Sequence, residues 1–262
     1  IDFMERQEQS DTPWFVWFNT TRMHIFTHLK PESEGATGMG IVADGMTEHD
    51  KMVGQLLDKL DELGAADDTI VIYTTDNGAE KFTWPDGGTS PFRGEKATTW
   101  EGGIRIPFMI KWPGRIEGGQ VSNEILSLED MFPTLIAAAG DPDIKTKLLD
   151  GHQAGDMTYN VHIDGYNLLP NLTGESEEWP RNTFFAFVDD GSLGAVPLKA
   201  PLLIDLRADP FEMAPEDSSY YDDWFVRHMF AFGPITGVVA EFMATFEDYP
   251  QRQEAGSFTP KQ

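Results

Sequence analysis

The 262-residue sequence contains no cysteine. Disulfide staples are excluded, as is a cysteine-derived nucleophile, and composition carries no record of a redox compartment. Positive charge is scarce: 19 Lys and Arg stand against 44 Asp and Glu, a formal charge of -25. Nucleic acid is therefore a poor partner, because phosphate binding needs clustered cations, and an anionic membrane surface is disfavoured for the same reason. An anionic substrate would be repelled by the net field, so any anion site has to be locally positive. Solubility or a saline habitat accounts for the acidity as a whole. No apolar run approaches the ~20 residues of a membrane span, so none is expected. The start, Ile1-Asp2-Phe3-Met4-Glu5, lacks both a signal-peptide pattern and an initiator Met, which reads as a chain beginning mid-protein.

What is present suits a folded globule. Hydrophobic residues make up 40%, with 18 Phe to fill a core, and the 24% charged fraction is ordinary. The length fits one large domain or one domain with a smaller companion. Disorder is expected only in the tail Arg252–Gln262.

Trp14–Phe18 reads as a buried strand entered through Pro13. From Met46 to Leu63, apolar residues recur at three- and four-residue steps, which predicts a helix stopped by Gly64. Thr69–Thr75 reads as the next strand. Strand, helix, strand predicts a parallel unit with a right-handed crossover. Ile104–Trp112 is strand-like, and Ser127 opens a further helix with Asp130 in the capping-box position and Gly140 at its end. In that helix Pro133 sits deep enough to shift the start or bend the axis. Past Glu178 the pattern changes: Phe184–Val188 and Leu202–Leu206 read as strands, Trp224–Phe232 and Val238–Phe246 as amphipathic helices. The expected fold class is α/β, a mostly parallel sheet flanked by helices over residues 1–178, with a smaller α+β subdomain over residues 179–262.

The chemistry concentrates at strand ends. In open α/β sheets ligands bind beyond the carboxyl ends of strands, and there Asp76-Asn77 offers two hard oxygen donors suited to Ca²⁺ or Mg²⁺. Asp-Asn-Gly is also turn chemistry in its own right, so a plain strand-to-loop turn is the competing reading. Lys96, in a glycine-flanked loop, is either a solvated cation or a contact for an ester oxygen. His24 follows the first strand as Asp76 follows the second. It is either a surface residue or a general acid for a leaving alkoxide or phenoxide. His49 falls near the apolar stripe of its helix and reads as a packing residue.

The order of these motifs resembles that of the type I sulfatases of the alkaline-phosphatase superfamily, and looks closest to bacterial arylsulfatases. The stretches that carry the likeness are Trp14–His24, the helix ending in Val53-Gly54-Gln55-Leu56-Leu57, Ile70–Gly78, Phe92–Pro107 with Trp112-Pro113-Gly114, Met131–Gly140 and Asp164–Gly174. They run collinearly over most of the chain. Most specific is Asp-Asn-Gly followed by Gly-x-Lys and Trp-Glu-Gly-Gly-x-Arg-x-Pro. The resemblance implies that Asp76 and Asn77 ligate a divalent cation, usually Ca²⁺. It implies that Lys96 contacts the sulfate and that His24 acts on the leaving-group side, one of the two protonating the departing alcohol. A small-molecule sulfate ester is then the substrate, and periplasmic or secreted localisation is expected.

The departures are as specific. The family nucleophile is a formylglycine made from Cys or Ser in a Cys/Ser-x-Pro-x-Arg motif, and no such motif occurs in the sequence. The paired aspartates that complete the metal shell and the Lys-x-His after the nucleophile are missing too. All would lie before Ile1, so the chain reads as the second half of a sulfatase, shortened near residues 196–201. Two other readings stay open: a non-catalytic sulfatase-like binding protein, with the acidic stretch Glu212–Asp223 as its contact, and a phosphate or phosphonate monoester hydrolase.

Overall fold

The computed structural model describes residues 1–24, 26–80, 88–186 and 201–250. The chain divides into two compact units, one of residues 1–118 with 210–212, the other of residues 119–209 with 213–262.

In the first unit, helix α1 (Asp2–Gln9) contributes Met4 to a small core with Leu60 and Ala65, against which Trp14, Leu56, Leu63, Ala66 and Val71 pack. Helix α2 runs Ile41–Leu63. It starts at Ile41, not at Met46, because polar contacts rather than apolar periodicity set its entry. The Asp44 carboxylate in its first turn accepts from the Gly35 amide at 2.7 Å and from the Thr37 amide and hydroxyl at 2.8 and 2.6 Å. It ends at Gly64, whose φ of 71° is the left-handed conformation that glycine adopts without steric cost. Strand β1 (Val71–Thr74) follows, then a short helix α3 (Glu101–Ile104) and strand β2 (Phe108–Lys111).

Two expectations change here. Strands β1 and β2 pair antiparallel, from Val71 opposite Lys111 to Thr74 opposite Phe108, and no parallel pair forms among the described residues. A run of apolar β-formers identifies a strand, but not which neighbour it hydrogen-bonds. Trp14–Phe18 is extended but joins no sheet, and Phe15, Trp17 and Phe18 are 67, 79 and 56% exposed. An apolar strand is buried only when sheets or helices cover it, and this run has no strand partner among the described residues.

In the second unit the capping box at Ser127 forms with both of its hydrogen bonds, leading through a 3-10 turn, Leu128–Asp130, into helix α4 (Met131–Ala138). Pro133 falls in the first turn of α4, where its missing N–H leaves no helical bond unmade. Helix α5 (Ile144–Asp150), the antiparallel pair β3 (His152–Ala154) and β4 (Met157–Tyr159), and helix α6 (Leu169–Leu172) follow. Asp130 is fully buried and receives Arg181 Nε and Nη2 on its two oxygens, each at 2.7 Å, along with the amides of Tyr166 and Ser127. Glu129 adds a second carboxylate to Arg181 Nη2 at 2.6 Å.

The two strands expected past Glu178 are not strands where described. Residues 184–186 and 202–206 pair with no sheet, and 187–188 lie outside the described residues. At Leu203 the backbone partner is a side chain, the Tyr221 hydroxyl, which donates to its carbonyl at 2.9 Å. The shortening expected near 196–201 and the tail 252–262 fall on or run into residues outside the described set. Helix α7 (Ala214–Asp217) precedes α8 (Tyr221–His228), and a 3-10 turn, Met229–Ala231, carries α8 into α9 (Phe232–Asp248). Where two separate helices were expected, Tyr221–Asp248 is a near-continuous helical stretch of 28 residues. By length and composition alone it is apolar enough to cross a membrane, where no such span is expected from the sequence.

Candidate active site

Strand β1 ends at Thr74, and the next residues turn on local hydrogen bonds: the Thr75 hydroxyl donates to the Asn77 carbonyl at 2.6 Å, and Asn77 Nδ2 donates to the Gly78 carbonyl at 2.9 Å. The amide nitrogen of Asn77 is thereby spent on backbone, which makes its oxygen the end suited to a cation. Asp76 is exposed at the strand end. The segment bends directly after β1, on hydrogen bonds made by Thr75 and Asn77.

Gly78 seats the next segment against it. Its amide donates to the Gly103 carbonyl at 2.9 Å, and a Cβ at Gly78 would stand 1.9 Å from the Gly102 carbonyl oxygen. No side chain fits there. The loop that follows is closed at its neck by the Gly102 amide donating to the Arg93 carbonyl at 2.6 Å. Inside the loop the Lys96 amide donates to the Ala79 carbonyl at 3.1 Å, which ties the lysine to the chain just past Asp76-Asn77.

The side chain of Lys96 then meets His24. Nζ lies 3.1 Å from His24 Nε2, so the ammonium donates and the imidazole nitrogen accepts.

The segment leading to His24 is anchored on α2 by polar contacts. Arg22 Nη2 lies 2.8 Å from Glu48 Oε1, and Thr20 Oγ1, His49 and the Tyr73 hydroxyl form a chain at 3.1 and 3.2 Å. His49 is therefore a bridging residue, satisfied on both nitrogens, in keeping with its reading as a packing residue. Burial pushes the Glu48 carboxyl up, but the Lys30 amide, the Ser33 hydroxyl and the Arg22 guanidinium more than offset this and hold it below the usual glutamate range. Thr37, through hydroxyl and amide, holds the Asp44 carboxyl low in the same way.

The structure thus brings together two of the four expected residues, His24 and Lys96, and sets Asp76 and Asn77 at the base of the same loop. Two oxygen donors match the hard ligand chemistry of Ca²⁺ or Mg²⁺ but fill only part of such a shell. No group of three or more His, Asp or Glu able to hold an ion occurs among the described residues. Sequence reasoning missed Arg22 and Glu48, which hold the His24 segment. It also missed Arg93 and Glu212, whose contacts close the Lys96 loop: Arg93 Nη1 donates to the Glu212 carbonyl at 3.0 Å. Long-range polar pairs leave no periodicity, so no local signal marks them.

Comparisons with known proteins identify the family. The sulfatase family model matches residues 1–141. Steryl-sulfatase of Rattus norvegicus is 34% identical over 192 residues, covering 71% of this chain and 30% of that protein. Arylsulfatase A of Homo sapiens is 34% identical over 187 residues, covering 71% of this chain and 34% of that protein. The PsFucS1 sulfatase from Pseudoalteromonas sp. superposes with a TM-score of 0.75 at 28% identity, over 97% of this chain and 52% of that one. The chain therefore spans between 30 and 52% of the length of these relatives. With more than half of its residues matched by the family model, the chain belongs to the sulfatase family.

Proposed function

We propose that these residues form one wall of an arylsulfatase-type site for metal-assisted hydrolysis of sulfate esters, the nucleophile being supplied by chain outside these 262 residues. The observation that supports this best is the 3.1 Å contact of Lys96 Nζ with His24 Nε2 in a loop whose base carries Asp76-Asn77. Asp76 and Asn77 would hold the cation, Ca²⁺ or Mg²⁺. When bound, it would draw charge from the sulfate oxygens. A formylglycine, the family nucleophile, would attack sulfur from the other wall.

The chain's own residues do the remaining work. Lys96 places a positive charge against a sulfate oxygen, where charge grows as the ester bond breaks. In an acidic protein this local cation is what an anionic substrate needs. His24 and Lys96 share a hydrogen bond, so the proton that leaves with the alcohol or phenol comes from this pair. The glycines at 78, 102 and 103 let three stretches of backbone touch, which fixes Lys96 relative to Asp76 without intervening side chains.

In the complete fold, Trp14–Phe18 would join a parallel sheet with strands from outside the chain, and a smaller subdomain would begin near residue 179. Periplasmic or secreted localisation accompanies the reading.

The second reading is a non-catalytic sulfatase-like binding protein, and the third is a phosphate or phosphonate monoester hydrolase. Initial rates separate the possibilities. The purified 262-residue chain should turn over an aryl sulfate at a near-zero rate, while a longer protein carrying these residues should hydrolyse it and outpace its action on the matched aryl phosphate. Faster phosphate hydrolysis would replace the sulfatase reading with the phosphatase one. Rapid sulfate hydrolysis by the 262-residue chain would refute the need for a second wall.

A further inference from the structure

The neck of the Lys96 loop is spanned by a residue more than a hundred positions away. Pro210–Glu212 is a three-residue segment that belongs to the first unit although the residues on both sides of it do not. Glu212 is 7% exposed and adopts a φ of 58°, a left-handed conformation uncommon for a residue with a side chain. From that position it touches both sides of the neck. Its carbonyl accepts from Arg93 Nη1 at 3.0 Å, and its carboxylate Oε2 accepts from the Glu101 amide at 2.9 Å. The surrounding aromatics reinforce the same three residues. Phe211 lies 5.7 Å from Phe92, and the Arg93 guanidinium covers Trp100 at 3.9 Å. Arg105, paired with Glu101 at 3.0 Å, covers Phe92 at 4.4 Å.

We infer that Glu212 is a positioning residue for Lys96: it clamps Arg93 to Glu101 across the loop neck and so sets where the lysine ammonium stands relative to His24. A buried carboxylate in a costly backbone conformation is an expensive way to close a loop, since an apolar residue could fill the same space. What the Glu212 side chain adds is directional: its carboxylate holds the Glu101 amide at a fixed distance from the backbone carbonyl that holds Arg93, one contact to each side of the neck. The role of Lys96 on sulfate rests on the proposed function; the clamp itself does not.

The test therefore reads geometry, not turnover. In the 262-residue chain with ¹⁵N-labelled histidine, the His24 Nε2 resonance reports the hydrogen bond from Lys96, and Lys96→Ala supplies the signature of its loss. Glu212→Ala should move the His24 resonance to the Lys96→Ala position. It should also cut exchange protection of the Lys96 amide by about tenfold, the scale of a lost hydrogen bond to a charged group. The Leu60 amide in α2 should keep its protection. Glu212→Gln, whose amide oxygen still accepts from Glu101, should restore the wild-type resonance. Should Glu212→Ala fail to fold, Arg93→Lys, which withdraws Nη1 and keeps the charge, should produce the same histidine shift. An unmoved His24 resonance in the folded variant, or loss of protection at Lys96 and Leu60 together, would overturn the inference. Absence of sulfatase activity would leave this result untouched and bear only on the proposed function.

Discussion

Lys96 Nζ donates to His24 Nε2 at 3.1 Å, across 72 residues of sequence. Neither residue is held by its own element. His24 stands on a segment pinned to α2 through Arg22 and Glu48, and Lys96 on a loop pinned to Ala79 and closed by Glu212. The pair is thus a meeting of two separately anchored backbones, which makes its geometry sensitive to substitutions that never touch it.

The tightest of these anchors is Gly78. Replacing it by alanine would put a methyl 1.9 Å from the Gly102 carbonyl oxygen, so either β1's end or the Lys96 loop must shift. A loss of about 1–3 kcal/mol is expected, in the range of overpacked interiors. Gly54→Ala is the control. It lies inside α2 with nothing within 4 Å of the added methyl, and should stabilise by about 1 kcal/mol. Urea midpoints of the two variants against wild type check both signs.

In the second unit, stability hinges on Asp130 and Arg181. The carboxylate is fully buried and the guanidinium nearly so, bound by two 2.7 Å contacts. Removing one partner strands the other charge, and Arg181→Met should cost about 3–5 kcal/mol. Replacing Asp130 by an apolar residue as well also removes the acceptor of the Ser127 and Tyr166 amides, so the double variant should be no more stable than Arg181→Met alone. Denaturant unfolding of the single and double variants decides this.

How much of this was legible beforehand differs by the range of the interaction. Local signals agree with the structure at the Ser127–Asp130 capping box, the stop at Gly64, and the strand end where Asp76 sits; His24 follows an extended run that joins no sheet, not a strand end. Partner choice was not legible. The run of apolar β-formers in Thr69–Thr75 identifies a strand but is the same whether β2 or a parallel neighbour lies beside it, and Trp14–Phe18 reads as buried whether or not its covering strands are present. The second carboxylate layer, Glu48 and Glu212, was invisible, because each acts on a group 26 or 111 residues away. Asp76 and Asn77 were legible only as donors, since the rest of any cation shell is not carried by the described residues.

Acid should loosen the His24 segment. The Glu48 carboxyl is held below its ordinary value in the folded protein. The unfolded chain then takes up the proton at higher pH than the folded one. The stabilisation is therefore complete above the ordinary glutamate value near 4.5 and is lost as pH falls through the lower folded value. Melting temperatures of wild type and Glu48→Gln between pH 7 and 3 should converge as pH falls; parallel curves would remove Glu48 from the account.

The cation reading has its own check. In a longer protein carrying these residues, Asp76→Ala should weaken Ca²⁺ binding by at least tenfold in calorimetry, since removing one charged ligand is a loss of well over 1.4 kcal/mol. Asp67→Ala, at an exposed turn before β1, should leave it unchanged.

The central claim is that Lys96 faces the sulfate. Its most direct measurement is the initial rate of aryl sulfate hydrolysis by the longer protein, wild type against Lys96→Ala. Loss of a preorganised cation at the developing charge should lower kcat by about 10²-fold or more. A Lys96→Ala enzyme within twofold of wild type would contradict the claim and return Lys96 to an ordinary surface lysine.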